Sequence, residues 1–316
     1  MNSCCVPSDK DRDVSVVMSR QHISATPFED PVKGMVKLGG TFLMGTDYPK
    51  RFRSDGEEPV REVDVSPFYI DRTTATNSQF REFIEDTAYV TEAERFGWSF
   101  VFQMFVSREV ARGVKEKVRQ APWWWKIEGA SWKHPEGSRS NLKKRQNHPV
   151  VHVSWNDAVA YCQWKGKRLP TETEWEFAAR GGMEQKLYPW GNDLTPNGGH
   201  RANIWQGRFP DINTKDDAYL GTAPAKSFKP NGFGLYNSSG NVWEWCNDWF
   251  SRNIQDNGPY VDPSGPSSGT EKVLKGGSYL CHESYCNRYR VAARTASSPD
   301  SSTGHMGFRC AINADV

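Results

Sequence analysis

The chain has 316 residues, of which 37% are hydrophobic, and its 40 basic and 38 acidic side chains give a formal net charge of +2. A chain of this length can bury one large core, and the near balance of charge gives no electrostatic reason to expect nucleic acid or an anionic membrane as a partner. No apolar run reaches the roughly 20 residues that a membrane helix needs, and charges interrupt the start of the chain where a secretory peptide would be apolar, so we expect a cytoplasmic protein.

The first part of the chain has no periodic pattern. Residues 1–33 are polar and aperiodic, which predicts a flexible leader, and we expect one folded domain over residues 34–316. The seven cysteines are an odd number, and Cys4 and Cys5 fall in this leader. A framework of disulfides is therefore not expected, and the thiols are predicted to be reduced.

Short strands and a first helix are predicted where order begins. The runs MVKLGGTFLMG from Met35 and VREVDVSPFYIDR from Val60 have apolar residues that alternate or cluster between Gly and Pro, as strands do. Further along, Asn77 is expected to cap a short helix whose Phe80 and Phe83 recur at helical spacing.

Two more helices are predicted near the middle of the chain. One runs from about Asn156 to Lys165 with Ser154 at its entry. The other begins at the capping box formed by Thr171 and Glu174 and ends at the glycine pair that follows.

Other stretches favour irregular structure. Residues 103–147 are locally basic and bounded by Pro and Gly, which is typical of a solvated surface loop. After residue 182 the helical period is lost, and Gly, Pro, Asn and Asp recur every few positions. We therefore expect an α+β fold, a single domain with few helices, short strands and much irregular loop structure.

A pair of cysteines lies in the densest group of reactive side chains. The segment KGGSYLCHESYCNRYRVAAR carries Cys281 and Cys286 among three arginines and His282. Positions five apart point about 140° apart on a helix and to opposite faces of a strand, so the two sulfurs meet only if the backbone bends between them. Two buried structural thiols and a redox or metal-binding pair both fit this spacing. Nearby positive charge would lower the thiol pKa, and two thiolates facing one cavity suit Cu(I).

The other candidate motifs are weaker. His148 and His152 lie four apart, but HPVVHVSW has the Pro and the β-branched residues of a strand, so we assign both histidines structural roles. No Ser-His-Asp order, Walker loop or G-x-G-x-x-G follows a plausible strand, and hydrolase, nucleotide and dinucleotide functions have no support.

Oxygen-bearing side chains are frequent between residues 201 and 245, where Asn203, Asp217, Asn237 and Glu244 occur. Calcium accepts such mixed oxygen ligands readily. Asn and Asp also abound in turns for backbone reasons, so composition leaves a calcium site and ordinary loops both open.

Four segments together resemble the formylglycine-generating enzymes, the sulfatase-modifying factors. They are GGSYLCHESYCNRYRVAARTASSPDSS followed by GFRCA, RLPTETEWEFAARGG, HPVVHVSWNDAVAYC and GLYNSSGNVWEW. The similarity spans residues 33–311, and it implies a fold related to the C-type lectins. Many proteins with this fold lack the activity. The catalytic group is marked by paired cysteines in GGSxxCxxSYCxRYR, which this chain carries in full.

The resemblance implies a copper-dependent oxidase. Its members use dioxygen and a thiol reductant to convert the cysteine of a Cys-x-Pro-x-Arg motif in unfolded sulfatase polypeptides to Cα-formylglycine. By this resemblance, Cys281 and Cys286 hold Cu(I), and dioxygen is activated beside Ser278 and Trp243.

Further roles are implied only by this resemblance. Cys162 and Cys310 correspond to a bridged pair in secreted relatives, so we expect them to be close, whereas Ala179 and Val291 replace a second bridged pair. The residues implied to bind structural calcium are Asn203, Ile204, Asp217 and Tyr219 in one set and Asn237, Gly240, Val242 and Glu244 in another. Candidates for the substrate groove are Trp98, Ser99, Phe100 and Tyr285, although a Trp and a Phe in a loop suit a core equally well.

Two other functions stay open at this stage. The same fold hosts iron-dependent sulfoxide synthases, but these carry an additional helical domain with a His-x3-His-x-Glu-like site, which the sequence lacks. The other possibility is a non-catalytic, lectin-like binding module that keeps only the fold.

Overall fold

The computed structural model describes residues 6–7, 30–253 and 258–314. Within these residues the α-helices are α1 to α5, at Asn77–Thr87, Glu92–Phe96, Arg108–Ala111, Trp155–Trp164 and Glu172–Arg180. Short 3-10 turns lie at Arg53–Asp55, Gln103–Phe105 and Pro196–Gly198. No helix in the described part of the chain is both long and apolar enough to cross a membrane.

Twelve short strands, β1 to β12, complete the described elements. In chain order they are Met35–Met44, Arg61–Asp71, Trp98–Phe102, Trp124–Glu128, Gly207–Arg208, Ile212–Asn213, Trp243–Trp249, Tyr260–Val261, Lys272–Lys275, Arg294–Ser297, Met306–Gly307 and Ala311–Asn313. Most of the remaining chain is ordered loop, so the expected α+β architecture with few helices and much irregular structure is confirmed.

The N-terminal strands form one sheet with the end of the chain. β1 and β2 pair antiparallel from Met35 opposite Asp71 to Met44 opposite Arg61, with an irregularity after Leu38. β12 pairs with β2 along its other edge, and β8 adds a short parallel contact to β2. Both strands predicted in this region are confirmed.

A second sheet, in the order β10-β9-β7-β11, supports the candidate site. β7 begins at Trp243, which is the parallel partner of Met306 in β11. β7 also pairs with β9, which ends at Lys275, directly before the segment with the two cysteines. The central sheet therefore delivers Trp243 and the cysteine segment to the same end.

The helix predictions are confirmed, because their signals are local. A capping box of Ser154 and Asp157 starts α4, and Thr171 with Glu174 does the same for α5. α1 has its cap at Thr76, one residue before the predicted Asn77, because the Thr76 hydroxyl accepts the Gln79 backbone N–H.

Two local predictions are wrong. Residues 103–147 are not a solvated loop throughout, because β4 within them pairs with β3 as an antiparallel hairpin that buries Trp124 and Ile127. The segment HPVVHVSW is not a strand. Its Pro149 makes only an isolated bridge to Thr76, and His152 has φ of 59°, outside the β region.

Most of the leader prediction falls outside the described residues. The part within them differs from the expectation of a flexible leader, because Val6 is 1% exposed and packs into the main apolar core. The carbonyl of Pro7 also accepts a hydrogen bond from the Ser301 hydroxyl at 3.1 Å. At least two N-terminal residues are therefore anchored to the domain.

Candidate active site

The two cysteines of the C-terminal segment meet. The Sγ atoms of Cys281 and Cys286 are 2.9 Å apart, and the side chains are only 2% and 1% exposed. One turn, in which the Cys281 N–H bonds to the Ser278 carbonyl, ends at Cys281, and a second, in which the Cys286 N–H bonds to the His282 carbonyl, bends the backbone between the two cysteines. The bend that the spacing demanded is therefore present.

The prediction that nearby arginines lower the pKa of these thiols is wrong. The arginines of the segment are each paired with an acid from a distant part of the chain, Arg288 with Asp55, Arg290 with Glu57 and Arg294 with Glu172. These ion pairs neutralise the arginine charges and hold the cysteine segment against distant parts of the chain. Burial, together with the neighbouring Cys286 sulfur, raises the pKa of the Cys281 thiol well above its ordinary value.

Hydrogen bonds from the backbone and the side chain of Ser278 oppose this rise in the pKa of Cys281. The backbone N–H of Ser278 donates to the Cys281 sulfur at 3.4 Å, which favours the thiolate. The Ser278 hydroxyl is itself fully buried and accepts the Leu280 N–H at 3.3 Å. Ser278 therefore favours the Cys281 thiolate through both its backbone N–H and its side chain.

A narrow aromatic cleft, closed to a water molecule in this structure, lies beside the cysteines. The ring of Tyr285 stacks on Phe209 with centroids 4.3 Å apart and meets Trp123 edge-on at 4.9 Å. The opposite side is formed by Trp124 and His305, whose rings lie 4.5 Å apart. All five line the same cleft as Cys281, Cys286 and Ser278. The Trp123 indole N–H is buried there with no hydrogen-bond partner.

Known proteins can now be compared with this arrangement. Residues 21–314 match the family of the sulfatase-modifying factor enzyme 1-like domain. A formylglycine-generating enzyme of Thermomonospora curvata is 59% identical over 289 residues, which are 90% of this chain and 95% of that protein. One of Streptomyces coelicolor is 56% identical over 285 residues, 90% of each chain.

The chain belongs to the formylglycine-generating enzyme family. Among solved structures, PvdO from Pseudomonas aeruginosa has a TM-score of 0.61 at 22% identity, over 88% of this chain and 94% of that one, which supports the fold. Family membership alone does not decide activity. An inactive Cα-formylglycine-generating enzyme 2 of Bos taurus is 46% identical over 284 residues, 89% of this chain and 88% of that protein.

The predicted groove residues of the family do not all reach the cleft. Tyr285 lines it, as described above. Ser99 is fully buried, and its hydroxyl bonds to the His152 ring at 2.8 Å and to Ser302 at 2.9 Å. Phe100 is 6% exposed and lies in an aromatic core, and Trp98 packs edge-on against it. β3 therefore supports the neighbouring segment 302–304 from below.

Trp243 does not line the cleft. It is fully buried in the same apolar cluster as Cys281 and Cys286, and its backbone N–H donates to the carbonyl of His305, a cleft residue, at 2.8 Å. Its indole N–H has no hydrogen-bond partner. The structure thus links Trp243 to the cleft through the backbone of His305.

The first predicted calcium set has an arrangement that fits a cation. Asp217 receives the backbone N–H groups of Ile204 and Tyr219, and burial raises the pKa of its carboxyl. The Asn203 side-chain nitrogen donates to the Gly221 carbonyl and to Asn241, which leaves its oxygen buried and without a partner. A hard cation would satisfy that oxygen and offset the desolvation of Asp217.

The second set fits less well. The Asn237 side-chain oxygen is buried and without a partner, as at the first set. Both oxygens of Glu244, however, are already engaged by Arg309 at 2.6 Å, and one of them also accepts the Trp175 indole N–H at 2.7 Å. Both oxygens of Asp217 also accept hydrogen bonds, but the charge of Glu244 is already neutralised by Arg309, whereas Asp217 forms no ion pair with a described residue. Groups of three or more His, Cys, Asp or Glu able to hold a metal do not occur among the described residues.

The remaining described cysteines are also buried. The sulfurs of Cys162 and Cys310 lie 3.5 Å apart, which confirms that they are close neighbours. Cys246 is fully buried, and burial raises its thiol pKa well above the ordinary value. Cys246 is therefore a packing residue and not a reactive thiol.

Sequence reasoning missed most of the cleft wall. Trp123 and Trp124 belong to the run APWWWK within residues 103–147, which were expected to form a solvated surface loop, and Phe209 and His305 were not among the predicted site residues. The density of tryptophan was the one available hint. The position of these tryptophans depends on the β3–β4 hairpin, which brings residues 123 and 124 beside residue 281.

Proposed function

We propose that this protein converts the cysteine of a Cys-x-Pro-x-Arg motif in unfolded sulfatase polypeptides to Cα-formylglycine, using Cu(I), dioxygen and a thiol reductant. The observation that carries the proposal is the pair of buried sulfurs of Cys281 and Cys286, 2.9 Å apart, at the base of an aromatic cleft. The proteins similar to this one over most of their length carry the name of this activity.

The donor set suits the proposed metal. Two adjacent sulfurs without a third or fourth ligand group match Cu(I), which accepts two soft ligands, better than zinc, which takes four. When bound by Cys281 and Cys286, Cu(I) would supply one-electron chemistry with dioxygen that no side chain can provide. The two thiols lose their protons when the metal binds.

The protein's own residues position the reactants. The Ser278 N–H fixes the Cys281 sulfur, and the turn between the cysteines leaves both sulfurs facing the cleft. Tyr285, Phe209 and Trp123 form an apolar wall that excludes water from a bound thiol. The unpartnered Trp123 indole N–H can donate a hydrogen bond to a backbone carbonyl of an extended peptide. Hydrogen bonds to the peptide main chain are a common source of affinity when a protein binds an extended peptide.

Structural calcium is proposed at the first oxygen set only, with Asn203 and Asp217 as side-chain ligands and Ile204 and Tyr219 supplying carbonyls. The unpartnered Asn203 oxygen supports this proposal. The loops that this ion would join run beneath the cleft, because Trp205, next to this set, donates its backbone N–H to the Cys281 carbonyl at 3.0 Å.

The main alternative is a non-catalytic module. Relatives named as inactive share 46% identity with this chain, so the choice between the two functions rests on the site and not on identity. The buried and converging sulfurs favour catalysis, since a binding module needs no such pair. Nothing in the described residues supports the iron-dependent sulfoxide synthase.

The proposal is tested by incubating a Cys-x-Pro-x-Arg peptide with the enzyme, copper, oxygen and a thiol reductant. Conversion replaces SH and one hydrogen with a carbonyl oxygen, so mass spectrometry should show a loss of about 18 Da. Omission of copper or of oxygen should abolish the change. An unmodified peptide under complete conditions, with one Cu(I) bound per chain, would refute the proposed function.

A further inference from the structure

Two carboxyl groups meet inside the domain without a cation beside them. Glu92 at the start of α2 is 3% exposed, and Asp157 near the start of α4 is fully buried. The Glu92 backbone N–H donates to Asp157 Oδ1 at 3.1 Å, which joins the two helix starts. Lys133 pairs with Glu94, and neither Glu92 nor Asp157 forms an ion pair with a described residue.

Neutral donors hold the two carboxyl groups in place. Asp157 Oδ1 accepts the Tyr89 hydroxyl at 3.0 Å, and Asp157 Oδ2 accepts the Ser154 backbone N–H at 2.9 Å. Glu92 Oε1 accepts the Asn156 side-chain N–H at 2.9 Å. These donors orient both carboxyls but carry no positive charge, so they do not neutralise two buried anions. Asp157 has more donors than the Glu92 carboxyl, which makes Glu92 the group that keeps a proton more readily.

The charged groups around the pair add to this conflict. Burial and the charge of Asp157 raise the pKa of Glu92 to about 7, and Asp300, beside the start of α4, raises it further. Burial also raises the pKa of Asp157 to about 6. The nearest cation, Arg95, is exposed and lies over the Tyr89 ring at 5.5 Å. Two acids that are buried together without a cation cannot both be ionised at low cost.

We propose that Glu92 and Asp157 share one proton and form a pH-sensitive anchor that holds α2 against α4. With that proton the pair carries a single negative charge, and without it two buried anions repel each other. α2 continues through Gly97 directly into β3, and the partner strand β4 begins at Trp124, which lines the cleft. Release of the anchor above neutral pH therefore loosens the hairpin that forms one wall of the cleft.

Thermal unfolding of the full chain tests this anchor. The folded chain binds the shared proton more tightly than the unfolded chain, because the folded pKa values of both acids are raised, so stability should fall as the pH rises from about 5 to about 8. Glu92→Gln keeps the side-chain shape but cannot ionise. Its melting temperature should match that of the wild type at pH 5 and exceed it by about 5 °C at pH 8.

The matched control is Glu85→Gln, which neutralises an exposed acid on α1 and should not alter the pH dependence. Hydrogen exchange, corrected for the intrinsic effect of pH, should be faster in α2 and β3 at pH 8 than at pH 6 in the wild type but not in Glu92→Gln. An equal difference in melting temperature between Glu92→Gln and wild type at pH 5 and pH 8, or exchange in α2 that does not depend on pH, overturns the proposal.

A measurement on the wild type alone covers the case in which Glu92→Gln does not fold. In protein labelled with carbon-13 at the glutamate carboxyl carbons, one carboxyl signal should titrate near pH 7. Titration of every glutamate signal below about pH 5 overturns the proposal, because the pair then holds no proton at neutral pH. None of these measurements uses copper or a substrate peptide, so their outcome is independent of the proposed function.

Discussion

The buried ion pair between Glu57 and Arg290 should be essential for holding the cysteine segment in place. Arg290 donates to both carboxylate oxygens of Glu57, at 2.5 and 2.8 Å, and the two side chains are 0–1% exposed. Glu57 also accepts the Phe52 N–H, and Arg290 donates to the Asn287 carbonyl, one residue after Cys286. The pair therefore ties the loop before β2 to the turn that carries the thiols.

Removing only the acid leaves a buried guanidinium without its counter-ion. Glu57→Ala should destabilise the protein by about 3–5 kcal/mol, as broken buried pairs do. At about 2–4 °C per kcal/mol for a domain somewhat smaller than this one, the melting temperature should fall by about 10 °C. Aldehyde formation should fall with it even below the new melting temperature, because the Cys286 turn loses its anchor.

Two variants make this test specific. Glu109→Ala breaks the exposed pair with Arg139, whose side chains are 67% and 75% exposed, and should change stability by about 0–1 kcal/mol. The double variant Glu57→Leu with Arg290→Met removes both buried charges and should regain much of the lost stability. Thermal unfolding followed by circular dichroism measures all three. A loss for Glu57→Ala no greater than that for Glu109→Ala would refute the reasoning.

Three further predictions concern the metals. Replacing Cys281 or Cys286 by Ser should abolish Cu(I) binding and aldehyde formation, and the double variant should be hardly worse than either single one. Copper stoichiometry and peptide mass spectrometry measure these losses. Near wild-type conversion by Cys281→Ser would exclude a two-sulfur site. Because burial raises the pKa of the Cys281 thiol, binding of Cu(I) must displace a proton from it. The affinity of the protein for Cu(I), measured by competition titration, should therefore rise from about pH 6 to about pH 8. A pH-independent affinity would contradict this. Chelation of calcium should lower the melting temperature and Asp217→Ala should mimic it, whereas no calcium in elemental analysis and no shift would remove that site.

The parts of the fold that could be predicted have signals confined to a few neighbouring residues. The capping boxes at Ser154 and Thr171 fix the starts of α4 and α5, whatever lies around them. The β3–β4 hairpin was missed because its partners, Trp98 to Phe102 and Trp124 to Glu128, are separated by a long intervening segment. Its pairing is stabilised by the ring contacts of Phe102 with Trp124 and with Trp205, which no local pattern predicts.

In the candidate site, too, the features set by neighbouring residues could be predicted and those set by distant residues could not. The cysteine pair was visible because the two residues and the turn between them lie within one short segment. The electrostatics were misjudged because the partners of Arg288, Arg290 and Arg294 lie far away in sequence. Arginines near a thiol in sequence indicate a lowered pKa only when no acid in the fold claims their charge.

The pairing of the three arginines with distant acids changes how the thiols can be activated. Because burial raises the pKa of the Cys281 thiol, that thiol stays protonated at neutral pH and is a poor nucleophile and a poor target for oxidation. Its reaction with Cys286 to a disulfide is slowed for the same reason, although the two sulfurs are only 2.9 Å apart. Binding of a soft cation supplies the positive charge that the arginines do not. Under the proposed function, Cu(I) bound by Cys281 and Cys286 would therefore switch on the reactivity of this site.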